Sequence, residues 1–337
     1  MNYKKFSSFQ VLLSLFLVKF YINHIIISPF VYNLYSKTSI LILCTIYFLQ
    51  PLELIFINKL LNKNIKPFKS NNLFIAIYCI IFSSLIIYGL ISFLDTYIYS
   101  ISNIYYLLFA IFIPLIFINK FDVSNIIRLT PLFFVFTLSM LGFFFFTTND
   151  ISLFAIYPNI KISNIFLLII FIINITFPYL LFPYYKDFSN NQIFKLSSTI
   201  LLGIFFSLLN ILLTLRQGVS LGILISEKAF PLYEILRFLS ITTYSIPLDI
   251  LFVIFLFFYS FYVLAIINSY MFHNFKIKHL YLKSILTIIP FIITIFFILN
   301  INIFELIKYD LLVIASFCLI YIFFTTIINF LRSKQNE

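Results

Sequence analysis

The chain has 337 residues, 63% of them hydrophobic and only 10% charged, with a mean hydropathy of +1.10. A soluble domain carries roughly 25% charged residues, and 48 Phe with 23 Tyr cannot all be buried in a fold of this length, so the surrounding solvent is lipid and a water-soluble enzyme is excluded. The net charge of +11 does not point to nucleic acid, because the 22 Lys and Arg are scattered through short connections where they act as topology signals beside anionic headgroups.

About 20 apolar residues cross a bilayer. That rule predicts an all-α polytopic membrane protein with ten segments, at 9–30, 39–58, 72–94, 103–119, 129–147, 162–182, 197–215, 248–271, 281–301 and 309–331, in a single transmembrane domain spanning 1–337. Lys4 and Lys5 precede the first segment as they would in a signal peptide. The run is long enough to span and no small-x-small cleavage site follows it, so it reads as a retained helix. With the N-terminus inside, fifteen Lys/Arg fall on the inner connections and six on the outer ones. That asymmetry predicts both termini in the cytoplasm and fits an even number of spans.

The first segment carries Lys19, Asn23, His24 and Pro29 where the middle of the membrane is expected. Such residues are expensive in hydrocarbon and face a cavity, a partner helix or a pathway. Lys19 lies about ten residues, roughly 15 Å, from the inner helix end, which strains snorkelling. It either presents a fixed positive charge to a cavity, where it stands in for a coupling cation or holds a carboxylate, or pairs with a polar neighbour. His24 is either a proton-linked group or a neutral packing donor. The sixth segment has a matching interruption in Asn174, Thr176, Phe177, Pro178 and Tyr179, with Pro183 beyond. Pro178 lacks an N–H and clashes with the preceding turn. The break either frees backbone groups for a ligand or is a plain kink. Interruptions at corresponding places in two halves of five point to an inverted-repeat transporter with its site at the breaks.

Further polar candidates are Tyr88 and Ser92 in the third segment and Tyr259, Ser260 and Tyr262 in the eighth. Asp249, at the outer start of the eighth, suits the positive end of a helix dipole. Residues 231–243 read as an outer amphipathic helix that begins near Pro231, with Leu232, Ile235, Leu236 and Leu239 on one face and Glu234 and Arg237 as i,i+3 partners. It is either a lid or a surface helix packed on the bundle. Cys44, Cys79 and Cys318 have neither metal nor disulfide spacing. No phosphate loop, His/Glu metal pair or carboxylate pair occurs within a span, so neither a cofactor nor catalysis is expected.

Four sequence anchors occur in order along the chain: Phe6-Ser7-Ser8-Phe9-Gln10 leading to Pro29, Phe121-Asp122-Val123-Ser124-Asn125-Ile126-Ile127-Arg128 before Pro131, Asp150-Ile151-Ser152 before Pro158, and Phe230-Pro231-Leu232-Tyr233-Glu234-Ile235-Leu236-Arg237. With them the chain resembles the B subunit of the nutrient germinant receptors of endospore-forming bacteria, relatives of the amino acid–polyamine–organocation permeases. The resemblance implies a 5+5 inverted-repeat (LeuT/APC-like) permease fold in the inner spore membrane, with termini on the core side. It also implies an A-type membrane subunit and a C-type lipoprotein as partners, and a small amino-acid-like nutrient as ligand, whose binding signals germination. The expected ligand-binding residues are Lys19, Tyr21, Asn23, His24, Tyr88, Asn174, Thr176, Phe177, Pro178, Tyr179, Tyr259 and Tyr262, between segments 1, 3, 6 and 8. One departure stands out. The family's first helix unwinds at closely spaced glycines, and here Tyr21-Ile22-Asn23-His24 holds none. An amino-acid or cation-coupled permease, and a structural subunit that binds nothing, are the alternative readings.

Overall fold

The computed structural model describes residues 8–35, 38–62, 71–97, 104–118, 120, 123–146, 165–176, 196–221, 230–234, 245–277, 279–299 and 304–335. Nearly all of these are helical, and no strand occurs among them. The first segment is α1 (Ser8–Tyr21), a π-helical stretch (Ile22–Ile27) and α2 (Ser28–Tyr35); the second is α3 (Thr38–Phe48) and α4 (Gln50–Asn62). There follow α5 (Asn71–Tyr97), α6 (Ile104–Ile118), α7 (Val123–Ile127) with α8 (Thr130–Phe146), α9 (Ile165–Thr176), α10 (Leu196–Leu221), α11 (Ser245–Asn274), α12 (Leu280–Leu299) and α13 (Phe304–Gln335).

Each expected apolar segment overlaps one of these units, the sixth only over Ile165–Thr176. Among the described residues, seven helical stretches are long and apolar enough to cross a membrane, and three shorter apolar ones occupy 106–117, 165–175 and 280–296. The outer surface confirms the solvent: Phe136, Leu201, Phe258, Phe317 and Phe324 are exposed, while Ser14, Asn23, Ser84, Thr214, Gln217 and Ser260 are buried. Apolar outside and polar inside is the arrangement that hydrocarbon imposes, since each uncompensated polar group there costs several kcal/mol. The protein is an all-α integral membrane protein.

The helices pack in a definite pattern. α10 lies along α3 and α4; α5 is central, against α11, α12 and α13; α1 packs on α8, α9 on α13, α6 on α12, and α11 on α6 and α7. Pro114 and Pro290 lie inside the continuous helices α6 and α12, whereas other prolines mark helix starts and interruptions. Pro131 sits in the first turn of α8, where its missing N–H is harmless. Pro51, by contrast, interrupts the second segment, separating α3 from α4 at Leu49. An α-helix would pair the residue 51 N–H with the Tyr47 carbonyl. Here that carbonyl accepts from Ser207 Oγ of α10 at 2.8 Å. Gly203, one turn earlier in α10, makes room for the kink, because a Cβ there would lie 3.0 Å from Pro51 Cα.

Of the expected outer amphipathic helix, the described part is one helical turn, 231–234. It is anchored inward: Tyr97 donates to Glu234 at 2.7 Å, and Phe230 and Tyr233 meet Phe93 edge-on. Residues 235–243, with Arg237, lie outside the described residues, as do Phe177, Pro178 and Tyr179. α11 begins at Ser245, four residues before Asp249.

Candidate functional site

The first segment does not unwind at Tyr21–His24; it stays helical and widens. Residues Ile22–Ile27 form a π-helix in which the Ser28 N–H reaches back five residues to the Asn23 carbonyl. The local cause is Pro29, whose ring would clash with the carbonyl four residues earlier in a regular α-helix. Widening the turn relieves that clash without glycine. π segments are rare and concentrate at functional sites.

The wide turn carries Asn23 and His24, both buried. His24 Nε2 is 2.8 Å from Asn210 Oδ1 of α10. Asn210 Nδ2 donates to Gln50 Oε1 at 3.0 Å and to the Phe206 carbonyl at 2.9 Å, so Asn210 Oδ1 is an acceptor. That assigns the His24 proton to Nε2 and leaves Nδ1 as a lone-pair acceptor with no partner. Phe20 and Tyr47 flank the imidazole, with ring centroids 4.7 and 5.5 Å away. Asn23 is fully buried, and neither its Oδ1 nor its Nδ2 has a hydrogen-bond partner. Leaving a buried amide unpaired costs on the order of 1–3 kcal/mol per group.

One turn before Asn23, Lys19 Nζ meets Glu53 Oε2 of α4 at 2.5 Å, both side chains almost completely buried. Glu53 follows Pro51 by two residues, so the kink sets where the carboxylate points. The Tyr78 hydroxyl of α5 lies within electrostatic reach of Glu53. Five residues beyond Asn23, the buried Ser28 Oγ has no hydrogen-bond partner, and Tyr32 then donates to Gln217 Oε1 at 2.5 Å. The result is a polar seam along segments 1, 2 and 7. Its members on α10 are Ser207, Asn210, Thr214 and Gln217, all buried and spaced i, i+3, i+7, i+10 on one helix face.

The remaining expected residues are distributed elsewhere. Tyr21 donates to Ser260 Oγ at 2.6 Å, since the Ser260 hydroxyl itself donates to the Leu256 carbonyl. Tyr259 donates to the Leu17 carbonyl at 2.7 Å, and Tyr262 pairs with Thr130 at 2.8 Å. These tyrosines join segments 1, 5 and 8 into an aromatic wall, with Phe133 stacked on Tyr259 and Tyr262. Asn174 turns to the tenth segment, where its Nδ2 contacts the Ile170 and Leu312 carbonyls and Ser316 Oγ. Thr176 ends α9, and Tyr88 is half-buried on α5. Thus Lys19, Asn23 and His24 share one seam, Tyr21, Tyr259 and Tyr262 form the wall on the other side of the same helix, and Asn174 belongs to a separate contact.

The sequence reading missed Gln50, Glu53, Asn210 and Gln217. Two signals could have found them: the helical spacing of polar residues through an apolar seventh segment, and an acidic residue next to a mid-segment proline. Chemically, the wide turn offers one amide donor, one amide acceptor and one imidazole acceptor beside a compensated charge pair. That set is complementary to a small polar group that both donates and accepts. Among the described residues no group of three or more His, Cys, Asp or Glu is placed to hold a metal. Comparison with protein-family models and with curated proteins finds no match to this chain.

Proposed function

We propose that the protein is a nutrient-sensing subunit of the germinant-receptor kind, with a ten-span, 5+5 inverted-repeat permease fold, and that it binds a small amino-acid-like molecule at the π turn. The observation that carries the reading is Asn23: a fully buried amide with both polar atoms unpartnered, on a helix widened midway along the apolar stretch Phe9–Tyr35. Such an amide is costly in the free protein and is matched by a zwitterionic or amide-like ligand that both donates and accepts.

The packing pattern supports the repeat. Exchanging segments 1–5 for 6–10 converts the α1–α8 contact into α9–α13, α5–α13 into α11–α7, and α5–α12 into α11–α6. The pairs that such an exchange leaves unchanged, segments 2 with 7, 3 with 8 and 4 with 9, are in contact as well. The charge asymmetry supports both termini lying on the cytoplasmic (spore core) side. An A-type subunit and a C-type lipoprotein would receive the signal in the inner spore membrane.

Calorimetric titration of the protein in lipid nanodiscs with a panel of amino acids, alone and with both partners, tests the reading. Saturable binding that Asn23→Leu abolishes is expected; no binding in any assembly refutes it. The Lys19–Glu53 pair favours a second reading as a permease, because a built-in cation that compensates a membrane carboxylate takes the place of a coupling ion. Uptake of radiolabelled ligand into proteoliposomes separates the two: binding without flux belongs to a sensor, accumulation to a transporter.

A further inference from the structure

Arg216 stands apart from the seam. It lies in the last turns of α10, two residues before the end of the apolar stretch Thr199–Gly218, and is only 4% exposed. All three guanidinium nitrogens, Nε, Nη1 and Nη2, are without a hydrogen-bond partner. The next residue, Gln217, is completely buried. Tyr32 holds its Oε1, which fixes the amide and leaves the Nε2 donors unpartnered. This turn is not a frayed helix end. Gly218 is pressed against Ile40 of α3 so closely that a Cβ at position 218 would collide with that side chain.

A buried cation with no counter-charge among the described residues is a costly feature in a membrane protein, and such residues pair with something. The unsatisfied groups on this turn are all donors. Arg is the residue whose planar fork matches the two oxygens of a carboxylate or phosphate. The depth also fits, because the end of an apolar span is where the hydrocarbon gives way to headgroups.

We infer that Arg216 is the anchor of an oxyanion-binding site at this end of α10. The site takes a carboxylate or phosphate group, carried either by a free solute or by an anionic lipid. It is distinct from the π turn: Tyr32, which orients Gln217, lies nine residues beyond Asn23, and the inference does not depend on a nutrient binding there.

Thermal unfolding of the full-length protein tests it with three probes: inorganic phosphate and acetate in neutral detergent at constant ionic strength against chloride, and nanodiscs of phosphatidylcholine with or without phosphatidylglycerol. The wild type is expected to gain unfolding temperature saturably with at least one probe. Arg216→Gln should lose that response while unfolding at a higher temperature than wild type without anion, since the unpaired charge is gone. Arg216→Lys keeps the charge without the fork and should need at least a tenfold higher probe concentration. Response to phosphate or acetate in detergent assigns the site to a solute. Response only to phosphatidylglycerol, with one lipid retained per protein in native mass spectrometry, assigns it to a headgroup. A wild type that answers none of the three, or an Arg216→Gln protein that answers them equally, overturns the inference. If Arg216→Gln does not fold, the wild-type and Arg216→Lys titrations decide it on the same criteria.

Discussion

Asn23 and Asn174 are the same residue in two apolar helices, both fully buried, and the fold treats their amide nitrogens in opposite ways, while each Oδ1 lacks a hydrogen-bond partner. Asn174 sits in regular α-helix and turns its Nδ2 to two carbonyls and the Ser316 hydroxyl, so it ties α9 to α13. Asn23 sits in a widened turn with neither polar atom partnered. The first arrangement stabilises a helix pair; the second costs the free protein stability. The residue type alone therefore says little, and the backbone around it separates structural polarity from functional polarity.

The comparison can be broken or sharpened by substitution, with unfolding measured in mixed micelles. The largest effect is expected at the charge pair beside Asn23. Lys19→Met removes the cation of the buried pair with Glu53 and should cost about 3–5 kcal/mol, whereas Lys19→Met combined with Glu53→Leu should recover most of that loss. A double variant no better than the single one would show that each charge has a role apart from the pair. Next comes Asn174→Leu, which removes the donor shared by Ser316 and two carbonyls and should cost about 1–3 kcal/mol with little effect on ligand binding.

Ser207→Ala orphans the Tyr47 carbonyl at the Pro51 kink and should cost about 1–2 kcal/mol. If it costs nothing, that carbonyl has another donor. The smallest effect on stability is expected at Asn23 itself: Asn23→Leu should be neutral or stabilising in the ligand-free protein while abolishing binding. Equal destabilisation by Asn23→Leu and Asn174→Leu would erase the distinction between the two asparagines.

Hydropathy made the helices legible because a bilayer demands long apolar stretches, and each of the ten segments read from the chain falls on an apolar helix. The polar half of the site was legible for the same reason: Lys19, Asn23 and His24 are conspicuous against Ile and Phe. Their partners were not. Glu53 lies close to a charged connection, and nothing in a single sequence says which helix faces which, so the Lys19–Glu53 and His24–Asn210 pairs appear only in three dimensions. The widened turn was invisible too. A proline announces an interruption, but whether it becomes a kink, as at Pro51, or a π turn, as before Pro29, depends on what the neighbouring helices can satisfy. For Pro51 a serine from α10 takes the freed carbonyl, and the helix bends.

The π turn also changes how two parallel rods are matched along their length. His24 and Tyr32 are eight residues apart, yet they bond Asn210 and Gln217, which are seven apart on α10. Two regular helices of equal pitch would match seven with seven, so the first segment carries one residue more than its neighbour, a vernier that the wide turn absorbs. Loss of a single isoleucine from 25–27 would leave both rungs aligned and remove the wide turn, with Pro29 then left to kink the helix as Pro51 does. The extra residue is thus separable from the architecture, as an insertion that builds the wide turn.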